Sequence, residues 1–110
     1  MGDSGGEGVM ASLAHYIKSK GGPQIVKQIL IYPMLDDYNT KPNEDLAPFA
    51  TWSIDDNKTA WGSVLGDKLA ADGVSAIKAG GRATVEDCKG LPPAYIDVCP
   101  WHRMLIQGSC

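Results

Sequence analysis

A single hydroxyl flanked by glycines opens the chain, in Gly2-Asp3-Ser4-Gly5-Gly6. Gly-x-Ser-x-Gly at the mouth of a helix is the pattern of a nucleophile elbow, a sharp strand-to-helix turn that lifts the serine oxygen above a sheet. Glycines on either side suit a crowded turn in which side chains would clash. The backbone N–H of Gly5 points towards the place where an oxyanion would form, and the new helix adds its positive end there. On this pattern Ser4 is the candidate nucleophile, Gly5 the oxyanion donor, and Gly2 and Gly6 the residues that shape the elbow.

The same five residues also resemble the serine segment of chymotrypsin-like proteases, which continues with proline. Here Glu7 follows, and Val9, Met10, Leu13, Ala14 and Ile17 recur at helical spacing, where a double-barrel protease needs strands. Such a protease also needs its histidine and acid upstream of the serine, where this chain has three residues. The protease reading is therefore disfavoured. Short Gly/Asp/Ser runs are commonly plain turns, so the motif requires support from the rest of the chain.

Composition bounds that support. A chain of 110 residues makes at most one domain with a modest core. A formal net charge of −3 and no basic cluster argue against a nucleic-acid partner. No apolar run approaches the ~20 residues that span a bilayer, and the N-terminus lacks a secretory pattern, so a cytoplasmic location is expected. Cys88, Cys99 and Cys110 are odd in number and include no Cys-x-x-Cys pair, which disfavours a disulfide scaffold or a zinc site. Unbridged thiols in a reducing compartment fit them better. A metal site is not expected.

The elements that would position Ser4 follow in order. A helix is predicted from about Gly6 to Ser19, stopped by Lys20-Gly21-Gly22-Pro23, with its apolar stripe laid on a sheet. His15 sits on it eleven residues after Ser4, roughly 16 Å along the axis, too far to serve as base. Ile29-Leu30-Ile31-Tyr32 reads as a buried strand ended by Pro33, its continuous apolar run fitting a parallel sheet. The strand that should precede Gly2 is absent except for Met1. The acids between Asp36 and Pro48 do not match a calcium loop and read as a solvated loop. Thr51 or Ser53 can cap a helix carrying Ile54, Trp61, Val64 and Leu65 and ending at Gly66. Trp52 and Trp61 read as packing residues ahead of an aromatic binding surface. Residues 67–89 give no firm assignment. Ala94-Tyr95-Ile96-Asp97-Val98 is a second buried-strand candidate.

The order of elbow, helix, Gln28-Ile29-Leu30-Ile31-Tyr32-Pro33-Met34-Leu35-Asp36-Asp37, Trp-containing helix and Gly90-Leu91-Pro92-Pro93-Ala94-Tyr95-Ile96-Asp97-Val98 resembles the hormone-sensitive-lipase-type esterases of the α/β-hydrolase fold-3 family. The resemblance runs from Gly2 to about Trp101. It implies a partial α/β-hydrolase fold and hydrolysis of small acyl esters, as by carboxylesterases and lipases, through a Ser-Asp-His triad without a cofactor. In that chemistry a histidine takes the serine proton, a carboxylate orients the histidine and backbone N–H groups hold the oxyanion.

The departures are specific. The family's His-Gly-Gly oxyanion segment lies well upstream of the elbow and has no counterpart here. Its catalytic acid follows the strand matched by Ala94 to Val98, where this chain reads Cys99-Pro100-Trp101-His102, with His102 at the acid position. Asp97 lies within the strand register and does not match the acid. The family's catalytic histidine falls beyond Cys110. The expectation is a fragment of the domain over residues 1–110, incomplete at both ends and catalytically incomplete. Its exposed strand edges would be open to self-association. A dyad rearranged so that His102 serves Ser4 is the remaining catalytic option.

Overall fold

The computed structural model describes residues 2–45 and 47–98, with Gly2 and Asp3 described by their backbone alone. Three parallel strands form its sheet: β1 (Gly2–Asp3), β2 (Gln28–Ile31) and β3 (Ala94–Asp97), in the order β1-β2-β3. The registers align Gly2 with Leu30 and Asp3 with Ile31, then Leu30 with Ile96 and Ile31 with Asp97. The first two residues of the serine motif therefore form a strand themselves, because their backbone pairs with β2.

Helix α1 (Gly5–Lys20) follows β1 directly. Lys18 and Lys20 place positive charge in its last turn, and Gly21 closes it in the left-handed conformation at φ 61°. The Gly22 N–H then donates back to the Ile17 carbonyl at 3.0 Å. The buried face differs from the predicted stripe. Glu7, Gly8, Ala11 and Ala14 are buried, whereas Val9 and Leu13 are exposed. Small side chains explain the exchange, since they let neighbouring backbone approach: a Cβ on Gly80 would lie 3.5 Å from the Ala11 Cβ. Packing here favours close fit over bulk.

Helix α2 (Ile54–Leu65) begins at a capping box, in which the Ser53 hydroxyl accepts from the Asp56 N–H and Asp56 accepts from the Ser53 N–H. Its inward face carries Asn57, Trp61 and Leu65 at four-residue spacing. Trp61, Leu65 and Ala79 form a buried cluster joined by Met34, Leu69 and Val74. Residues 66–89 hold two single 3-10 turns and a short helix, α3 (Val85–Cys88), capped by Thr84 and Asp87.

Two expectations are corrected. β3 is a strand, but all four of its residues are exposed, since none of the described elements packs both its faces. The loop after β2 is not simply solvated. Asp37 is fully buried because Arg82, 45 residues downstream, supplies its countercharge. Arg82 Nε donates to Asp37 Oδ1 at 2.8 Å and Nη2 to Oδ2 at 2.5 Å, a bidentate pair. The Ala70 N–H adds a third bond to Asp37, and the Tyr38 ring lies 3.9 Å from the guanidinium.

Candidate active site

Ser4 stands between β1 and α1 with φ 52° and ψ −113°, a backbone state that L-residues avoid. Such strain persists only where the surroundings over-determine it. At Ser4 four backbone bonds do so. Its N–H donates to the Ile31 carbonyl at 3.2 Å, continuing the β1–β2 ladder. Its carbonyl oxygen accepts from the N–H groups of Glu7 at 3.1 Å, Gly8 at 3.3 Å and Met34 at 3.2 Å. The side chain is exposed and makes no capping bond to α1. Ser4 thus occupies the carboxyl end of a strand and the amino end of a helix, the edge where parallel α/β sheets receive ligands.

The glycines of the motif have a different distribution of duties from the one expected. Cβ atoms built on Gly5 and Gly6 meet nothing within 4 Å, so crowding among the described residues does not require either glycine. Gly8 is the crowded position, since a Cβ there would collide with the Met34 carbonyl oxygen. Gly8 and Met34 therefore lock the elbow against the segment leaving β2. A glycine inside a helical pattern is a sequence signal for such close approach. The N–H groups of Gly5 and Gly6 head α1, where helical geometry leaves donors without intrahelical acceptors. That is the donor arrangement an oxyanion uses.

Tyr32 also adopts positive φ, 51°, immediately before the buried Pro33. Its N–H donates to the Asp97 carbonyl at 2.8 Å, so the carboxyl ends of β2 and β3 stay in register beside Ser4. Asp97 is exposed and lies within β3. Strand spacing of ~4.8 Å sets the ends of β1 and β3 roughly 10 Å apart.

His15 is the histidine among the described residues, and it lies one end of α1 away from Ser4. Partial burial, helped by the Lys18 charge, holds its imidazole below the ordinary 6.5, against an opposing pull from Asp87. Burial raises the Asp36 carboxyl, outweighing the Tyr38 N–H bond that favours its anion. Asp37 is pushed up by burial but held down more strongly by Arg82 and the Ala70 N–H, so it stays below the carboxylate range. None of these groups is hydrogen-bonded to Ser4. His102, Cys99 and Cys110 lie outside the described residues. Among the described residues no three His, Cys, Asp or Glu side chains converge as metal ligands, and no helix is long and apolar enough to cross a membrane. The Asp37–Arg82 clamp and the Gly8–Met34 lock were not legible as site features in the sequence.

No curated protein matches the chain. The family model for the alpha/beta hydrolase fold matches residues 1–109. Membership carries a hydrolase-type function in the general sense and a small-molecule substrate. With its parallel sheet, flanking helices and strained serine turn, the chain belongs to the alpha/beta hydrolase fold-3 family.

Proposed function

We propose that the chain carries the nucleophile of a serine carboxylic-ester hydrolase of the esterase or lipase type. The observation that supports this most is the Ser4 backbone, held at φ 52° and ψ −113° between β1 and α1 with an exposed side chain. In the proposed reaction the Ser4 oxygen attacks the acyl carbonyl as a base removes its proton. The Gly5 N–H stabilises the resulting oxyanion at the positive end of α1. Collapse expels the alcohol, and water then releases the acid from the acyl-serine.

A second reading follows from the position of His15, roughly 16 Å along α1 from Ser4 and so out of proton-transfer range. On this reading the 110-residue chain holds the nucleophile without its base. It would then be a non-catalytic relative, or a partner that pairs through the exposed β3. His102 discriminates the two. It is five residues past Asp97, a contour of roughly 16 Å, which spans the distance back to β1.

The test is hydrolysis of p-nitrophenyl acetate and butyrate by the chain, its Ser4→Ala variant and its His102→Ala variant. Turnover lost in both variants supports the first reading with His102 as base. Turnover equal to background in all three supports the second. Covalent labelling of Ser4 by a fluorophosphonate reports separately whether the hydroxyl is activated.

A further inference from the structure

Among the described residues β3 is an edge of the sheet, and its ladder to β2 fixes which backbone groups it leaves over. The Gln28 N–H donates to the Pro93 carbonyl at 2.9 Å and the Tyr32 N–H to the Asp97 carbonyl at 2.8 Å. In a parallel ladder alternate residues bond the same neighbour. Tyr95 therefore also faces β2, while Ala94, Ile96 and Val98 turn their N–H and C=O groups to the free edge. Side chains alternate as well. Ala94 and Ile96 line an open depression beneath α1 with Leu30 and Leu35, which leaves Tyr95 and Asp97 on the opposite face. Tyr95 is 54% exposed and Ile96 44%. Asp97 has no ion-pair partner among the described residues. An open edge with apolar side chains on both faces is a template for another strand.

We propose that the chain's own residues 103–106, which lie outside the described residues, add an antiparallel strand to this edge. The run Arg103-Met104-Leu105-Ile106 begins six residues after Asp97, and Cys99-Pro100-Trp101 makes a connection of hairpin length. Arg103 then stands opposite Asp97, Met104 opposite Ile96, Leu105 opposite Tyr95 and Ile106 opposite Ala94. Charge meets countercharge, and apolar side chains meet on each face. Other registers lose this match. A shift of one residue either way turns Arg103 to the α1 face, into the apolar depression. A shift of two towards the turn asks Pro100 for an N–H it does not have, and two the other way sets Asp97 against Leu105. His102 then faces Val98, three strand spacings or roughly 14 Å from β1, out of proton-transfer range of Ser4. The pairing stands on β3 alone and goes beyond the reading of Ser4: it covers the edge that a partner would use and leaves the nucleophile without this base.

The experiment records nuclear Overhauser effects and amide exchange on the isotope-labelled 110-residue chain. Tyr95–Leu105 and Asp97–Arg103 are non-hydrogen-bonded pairs, with Cα atoms ~4.5 Å apart, so each should give a strong Hα–Hα cross-peak. The Ala94 and Ile96 amides should be protected from exchange. Arg103→Asp sets like charges opposite each other and should speed that exchange about two- to fivefold, the range of one cross-strand pair. Asp97→Arg combined with Arg103→Asp should restore it. Absence of both cross-peaks with exchange at open-chain rates overturns the proposal. So do cross-peaks found only between differently labelled copies, which would put a second chain on the edge. Both readings use the unaltered chain, so a variant that fails to fold leaves them intact. Ester hydrolysis is measured separately, and its loss or presence does not move these cross-peaks.

Discussion

Met34 holds the serine turn from two directions: its N–H donates to the Ser4 carbonyl at 3.2 Å, and its own carbonyl oxygen occupies the space a Gly8 side chain would need. A loop leaving β2 therefore determines the geometry of a turn 30 residues earlier. Gly8→Ala pushes a methyl into backbone that has no rotamer to yield. It is expected to destabilise the chain by about 1–3 kcal/mol, the usual cost of overpacking. Gly5→Ala and Gly6→Ala, facing open space, should be neutral or slightly stabilising. Urea unfolding of the three variants checks the contrast.

The strain at Ser4 makes a prediction of opposite sign. Glycine adopts φ 52° without a Cβ penalty. Ser4→Gly should raise stability by about 1 kcal/mol, the relief of a strained residue less glycine's greater unfolded freedom. Ser4→Ala retains the Cβ and should not. A thermal melt in which the alanine variant gained as much as the glycine variant would remove strain as the cause.

Breaking the Asp37–Arg82 pair leaves one charge buried without compensation. Arg82→Met or Asp37→Asn is expected to cost about 3–5 kcal/mol, and the double variant Asp37→Leu with Arg82→Met considerably less than the two singles summed. The pair also sets acid sensitivity. The Asp37 carboxyl is held below 3.8, so its stabilisation is present above that pH and is lost as pH falls through its lower folded value. Acid titration of the native chain beside Asp37→Asn reads the difference.

His15 works at a higher pH. Its folded value lies below the ordinary 6.5, so the unfolded chain takes up the proton more readily. Stability from the neutral imidazole is complete above 6.5 and declines as pH drops below it. In His15→Gln the slope of unfolding free energy between about pH 7 and 5 should flatten. An unchanged slope would assign the dependence to other groups.

Much of the scaffold was legible because its determinants are local. Lys20-Gly21-Gly22 ends α1 where expected, and Ser53 and Gly66 bound α2. The run from Ile29 marked β2 within a residue. The weakly patterned stretch 67–89 was not assignable, since short 3-10 turns and a four-residue helix leave no periodicity to count.

By itself the sequence determined where helices start and stop, because caps, breakers and glycines act on backbone within a few residues of themselves. It also placed a serine at a strand-to-helix turn. The folded chain alone decided which face of α1 is buried, that Asp37 is paired inside and that Gly8, not Gly6, is the glycine without room. Those outcomes depend on contacts across 26 to 69 residues, Gly8 with Met34, Asp37 with Arg82 and Ala11 with Gly80. Partners so far apart meet only when the strands have paired and the loops close over them, and no local pattern records the meeting.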